Sequence, residues 1–207
     1  MLEGYDFGIT SPTCYLLAFV DDWGRIFVID GFYEPNFDYT KHKEAVEDIR
    51  AKYKHIVRSP QQPINADPAI WKTAVVAKHR KRGDTVAKLL KDEGLEMRPG
   101  SNAIIPGIAK LNSYLAPSAG IPHFNTESDP SPLMYFSEDL TFVQDEIGSY
   151  FWKKNPFGKY IDEPQENEDH AMNTLKYLVT TAPDPADIVL PDHMVTPEHL
   201  KWHTVDA

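Results

Sequence analysis

Three runs rich in β-branched and aromatic residues follow one another at the start of the chain: GYDFG (residues 4–8), TCYLLAFV (13–20) and RIFVIDGFYE (25–34). DDWG separates the last two and has the make-up of a tight turn. Runs this closely spaced can only fold back on one another, so three consecutive antiparallel strands are predicted. Beyond them the pattern changes. Tyr39, Ala45, Val46, Ile49 and Tyr53 recur near the helical period and predict a helix over 39–53. QPINAD (62–67) is a short buried strand, and a helix over about 84–93 presents Val86, Leu89 and Leu90 before its stop at Gly94.

The alternation continues to residue 180. LEMR (95–98) is a strand, and Ile104, Ile108, Leu111 and Leu115 mark a helix that starts close to Ile105, with Pro106 in its first turn. Residues 117–132 form a long loop or a small inserted hairpin, and LMYF (133–136) resumes as a strand. A helix over 139–152 is expected to bury Leu140, Val143, Ile147 and Phe151, and QENEDHAMNTLKYLV (165–179) supplies the last helix. Three antiparallel strands followed by strands alternating with helices give an α/β domain whose mixed sheet carries helices on its faces. The domain is expected over residues 1–180. The proline-rich remainder, 181–207, is a tail that is loosely ordered or docks on a partner.

Several classes are set aside by composition. No apolar run approaches the roughly 20 residues of a membrane helix, and the start lacks the layout of a secretory signal, so a soluble, intracellular protein with no membrane partner is expected. Cys14 is the only cysteine, which excludes an internal disulfide and a multi-cysteine zinc site. The net charge of −10 is unevenly spread: residues 51–116 carry 12 basic and 5 acidic side chains between two acidic ends. That basic middle is where a polyanion would be met.

Three acids carry the candidate chemistry. Asp6 lies inside the first strand, where an unpaired charge is costly, so something positive must face it. Asp67 ends a strand just before Pro68, and ligands of open α/β sheets gather beyond the carboxyl ends of parallel strands. Asp169 opens the last helix. Carboxylates from several elements suit hard cations such as Mg²⁺ or Mn²⁺, and two such ions support phosphodiester hydrolysis. Plainer roles exist for each residue. Asp169 and Glu168 complement a helix dipole, Asp67 before a proline is a turn signal, Asp6 could lie on an edge strand, and His170 could be a solvated histidine. KHRKRG (78–83) is the densest basic run, and Lys78, Arg80, Lys81 and Arg82 are the candidates for phosphate contacts. The plainer reading of that run is a solvated loop.

Taken in order, GYDFG, SPT, NADPAIW, GLEMRPGSNAIIPGIAKLNSYL, QDEIGSYFW and EDHAMNTLKYL resemble the C-terminal nuclease domain of bacteriophage terminase large subunits, from about Gly4 to Leu178. The resemblance implies a ribonuclease H-like fold and a metal-dependent endonuclease of little sequence preference that cuts concatemeric double-stranded viral DNA during packaging. It also implies two Mg²⁺ or Mn²⁺ ions held by Asp6, Asp67 and Asp169, with Asp6 bridging them. Asn173 stands where family members commonly carry an aspartate, which leaves open whether Glu168 or His170 completes the second site. The implied setting is the host cell cytoplasm, with an N-terminal ATPase domain, a small terminase subunit and a portal as partners. No GxxxxGK[ST] loop occurs in this sequence, and the first strand begins almost at residue 1, so an excised domain without motor activity is expected. The DFG letters lack the other kinase signatures. Two rival readings are a Holliday-junction resolvase or integrase of the same superfold, and a non-catalytic module that docks on the portal through 181–207.

Overall fold

A computed structural model describes residues 1–8, 11–36, 38–55, 62–72, 84–126, 128–165 and 169–188. Strands β1 (Leu2–Asp6), β2 (Thr13–Val20) and β3 (Ile26–Glu34) form the predicted antiparallel meander. β4 (Ile64–Ala66), β5 (Met97–Pro99) and β6 (Met134–Phe136) join it in parallel. The resulting six-stranded sheet has the order β5-β4-β1-β2-β3-β6, so β1 is interior, with neighbours on both sides. This is the mixed sheet, antiparallel then parallel, of the ribonuclease H-like class.

Helices cover both faces. On one side, Val46 and Ile49 of α1 (Tyr39–Lys52) and Val86, Ala87 and Leu90 of α2 (Val86–Asp92) pack over Tyr5, Tyr15, Leu17 and Ile64. On the other, α3 (Ile104–Leu115), α4 (Thr141–Ser149) and α5 (His170–Leu178) pack over Leu2, Cys14, Leu16 and Ala18. The helix starts follow local chemistry. Asp38 and Thr85 accept hydrogen bonds from the N–H groups of Lys41 and Lys88, which would otherwise lack an acceptor at the first turns of α1 and α2.

The first strand lies two residues earlier than its sequence pattern predicts. It ends at Asp6 because Gly8 turns away, exchanging hydrogen bonds with the Thr13 hydroxyl at 3.1 Å. The fourth helix differs more. It stops at Ser149, whose hydroxyl bonds back to the Asp145 and Glu146 carbonyls, and Phe151 is 59% exposed instead of buried. The chain then enters a hairpin that the helical pattern concealed, β7 (Trp152–Lys154) against β8 (Tyr160–Pro164). Its turn is set by Asn155, whose side chain accepts from the Phe157 and Lys159 N–H groups, and by Gly158 at φ 77°. Residues 117–132 leave the fold as an excursion closed by a bridge between Ser118 and Ser131.

After α5 the chain stays on the domain through residue 188. Thr181 accepts from Asn65 and Arg98, Lys110 donates to the Ala182 carbonyl, and Ile188 packs against the core. Residues 189–207, most of the expected tail, lie outside the described residues. Among the described residues no helix is long and apolar enough to cross a membrane.

Helix α5 reaches the sheet because Gly4 has no side chain. A Cβ there would stand 2.4 Å from the Thr174 carbonyl oxygen and 2.9 Å from the Leu178 Cβ. The nearest atom is backbone and cannot swing aside. Gly4→Ala should therefore lower the free energy of unfolding by about 1–3 kcal/mol, the ordinary penalty of overpacking. Urea denaturation measures this, and an unchanged midpoint would show that α5 does not bear on β1 at that position.

Candidate functional site

β1 buries two carboxylates, one on each face, and their partners differ in kind. Glu3 faces α1, where Arg50 meets it at 2.6 Å and the Tyr15 hydroxyl donates to it at 2.8 Å. A guanidinium is charged at every accessible pH, so that pair is a fixed part of the core. Asp6 faces the other way, is 6% exposed, and is met by a histidine: His170 Nδ1 lies 2.8 Å from its Oδ2. The positive partner that a buried strand carboxylate requires is thus a titratable one.

Strand register brings the second acid alongside. β1 and β4 run parallel with Tyr5 beside Ala66, and the Asp67 N–H donates to the Tyr5 carbonyl at 3.1 Å. Asp6 and Asp67 therefore leave adjacent strands together at their carboxyl ends, on the face that α5 covers. The Asp67 side chain accepts from the Ala69 N–H at 2.8 Å, starting the 3₁₀ turn Pro68–Trp71, and burial, helped by its charge, pushes the Tyr177 hydroxyl up.

α5 supplies the third wall. Asp169 is its N-cap residue, His170 its first helical residue, and Lys176 and Tyr177 lie two turns on. Burial pushes the Asp6 carboxyl up from its ordinary value, and the negative charges of Asp67 and Asp169 add to that, while the His170 hydrogen bond pulls the other way. His170 is pushed up, first by its hydrogen bond with Asp6 and then by the charges of Asp6, Asp169 and Glu146 against the effect of burial. Burial pushes the Lys176 ammonium down, although Asp169, Asp6 and Asp67 all favour its charged form. Three acids, a histidine and a buried lysine thus act on one another at one end of the sheet.

Among the described residues no group of three or more His, Cys, Asp or Glu side chains is close enough together to hold one metal ion. Asp6, Asp67 and Asp169 interact through their charges, and the nearest partner of Asp6 is His170. The donor chemistry nevertheless fits a hard cation. Asp6 is destabilised as an anion by burial and by two neighbouring carboxylates, and a divalent ion offsets both effects. Glu168, Lys78, Arg80, Lys81 and Arg82 lie outside the described residues. Asn173 is half-buried, and its N–H makes the first helical bond to the Asp169 carbonyl at 2.8 Å.

Comparison with solved structures places the architecture. The large terminase of the thermophilic bacteriophage D6E, in complex with ADP, superposes with a TM-score of 0.58 at 18% identity, over 86% of this chain and 38% of the other. The nuclease domain of the bacteriophage SPP1 large terminase, with bound Mn, gives 0.55 at 14% identity over 86% and 84% of the two chains. The nuclease domain of the P22 large terminase gives 0.55 at 12% identity over 90% and 84%. The chain has the fold of a large-terminase nuclease domain. It spans 38% of the length of the D6E protein, and nearly all of the excised nuclease domains. No protein-family model and no curated protein matches the sequence.

Lys176 and Glu146 belong to the site although sequence reasoning did not single them out. Lys176 sits within an apolar helix and Glu146 within another, so periodicity alone gives neither a role. Within this terminase nuclease fold the His170–Asp6 pair has a pH signature. The folded state holds the His170 proton more tightly than the unfolded chain, so its contribution to stability is complete below the ordinary value of 6.5 and is lost as pH rises through the folded value. The urea midpoint should therefore fall as pH is raised from 6.5 through the folded value, and fall less in His170→Gln. Parallel curves for the two proteins would remove this pair as the source.

Proposed function

We propose that this chain is a metal-dependent endonuclease that hydrolyses double-stranded DNA with little sequence preference, as the nuclease part of a phage genome-packaging machine. One observation carries the reading. On a sheet shared with terminase nuclease domains, a nearly buried aspartate leaves the central strand beside a second aspartate, within electrostatic reach of a third.

Asp6, Asp67 and Asp169 would hold two divalent cations, Mg²⁺ or Mn²⁺, and the manganese present in the SPP1 nuclease domain supports a cation of this class. When bound, such ions lower the pKa of an attacking water and stabilise charge on the phosphate oxygens. The chain's own residues set the conditions. Asp6 ends a strand that has neighbours on both sides, and His170 meets its carboxylate. His170 Nδ1 faces Asp6 Oδ2 at 2.8 Å, and loss of the imidazolium charge as pH rises weakens its hold on that oxygen. Lys176 supplies positive charge from below, where Gly107 of α3 packs against its stem. Lys78, Arg80, Lys81 and Arg82, close to Asp67 in sequence, would contact DNA phosphates. In a longer protein the partners would be an ATPase domain, a small terminase subunit and a portal.

The test is supercoiled plasmid incubated with Mn²⁺ or Mg²⁺. The wild-type chain should nick and then linearise it, and chelation should stop the reaction. Asp6→Asn should reduce the rate by more than the roughly 10–100-fold that loss of an outer partner of a metal ligand costs. Full activity in Asp6→Asn would end the proposal, and strong preference for branched over linear DNA would point to a resolvase.

A further inference from the structure

The first turn of α5 is capped by a residue of another helix. Asp169 occupies the N-cap position, yet its side chain makes no cap hydrogen bond. The N–H groups of Ala171 and Met172, the two that an N-cap side chain ordinarily satisfies, instead donate to Glu146 Oε2 at 2.7 and 3.1 Å. Glu146 projects from α4 and is 5% exposed. This arrangement runs against local economy of structure. Aspartate is among the best N-cap residues and Asp169 is only half-buried, whereas taking a glutamate out of water carries a desolvation penalty. The Asp169 carboxylate meanwhile acts on Asp6, His170, Lys176 and Tyr177.

We infer that Glu146 is a positioning residue of the acidic cluster: by capping α5 from α4 it releases the Asp169 carboxylate from helix capping and leaves it free to take part in binding divalent cations. The cation in this statement rests on the nuclease reading, and the division of labour between Glu146 and Asp169 does not. A single oxygen of Glu146 receives both N–H groups, so its negative charge lies on the positive end of the helix. With both donors satisfied, neither of the usual cap partners draws Asp169 back. The same contact fixes where the turn sits, and with it Asp169 and His170.

Removing Glu146 should return Asp169 to the cap. Asp169→Ala in the otherwise wild-type chain should change the folding equilibrium constant by less than about threefold, and leave hydrogen exchange at the Ala171 and Met172 amides protected. In a Glu146→Ala background the same substitution should lower that constant about fivefold, because Asp169 has become the cap. Calorimetric titration with Mn²⁺ should give Glu146→Gln an affinity within about threefold of wild type, since its amide oxygen accepts the same two bonds, and Glu146→Ala an affinity lower by about tenfold or more. Loss of amide protection in Asp169→Ala, equal effects of Asp169→Ala in the two backgrounds, or wild-type Mn²⁺ affinity in folded Glu146→Ala would each overturn the inference. The exchange measurement decides the matter even where Glu146→Ala does not fold. A wild-type chain that neither binds Mn²⁺ nor cuts plasmid ends the nuclease reading and the cation with it, while denaturation and exchange, which need neither metal nor DNA, still decide the cap.

Discussion

Helix α5 rests on the backbone of β1 at Gly4, and the close approach allowed by that missing side chain sets the position of almost everything else. With the helix lying against the strand, His170 reaches Asp6 at 2.8 Å and Thr174 bonds the Cys14 carbonyl of the next strand at 3.4 Å. Lys176 and Tyr177 are carried to the end of the sheet where Asp67 emerges. A helix held further away at this point would weaken the contact between His170 and Asp6. Packing and electrostatics are therefore not separable here: a steric condition at residue 4 makes the charge at residue 6 tolerable.

Glu3 and Asp6 show how the same strand can bury charge for two different purposes. The pairing of Glu3 with Arg50 and Tyr15 joins strand to helix through a guanidinium, a group that stays charged. Breaking it would leave an uncompensated charge in the core. Asp6 has a partner that can let go, and two further carboxylates that repel it. Permanent neutralisation stabilises a fold, whereas exchangeable neutralisation leaves room for a ligand. The second arrangement is the one found at the carboxyl ends of the parallel strands, where α/β folds place their ligands.

Much of this was legible in the residues. The meander, the alternation after residue 60 and the covering of both faces follow from spacing and turn chemistry, because those signals are local. Asp6 was legible as an anomaly, a carboxylate within an apolar strand, and Asp67 as a strand-terminal acid before a proline. The β7–β8 hairpin was hidden because Ile147 and Phe151 extend the helical spacing of Val143, although Asn155 and Gly158 carry a turn signal. Glu146 was not legible at all. Its role depends on where α4 crosses α5, 25 residues away, and no periodicity encodes which face of one helix meets the first turn of another. His170 was named as a possible ligand, but its pairing with Asp6 is a tertiary fact.

The two halves of that pair stand 164 residues apart, one in the first strand and the other in the last helix. A ribosome completes β1 long before α5 exists, so a growing chain can assemble the meander and still hold Asp6 without its histidine. The acidic cluster therefore cannot assemble before α5 has been synthesised. Proteolytic loss of the segment beyond residue 169 would undo it while leaving the sheet strands in the polypeptide.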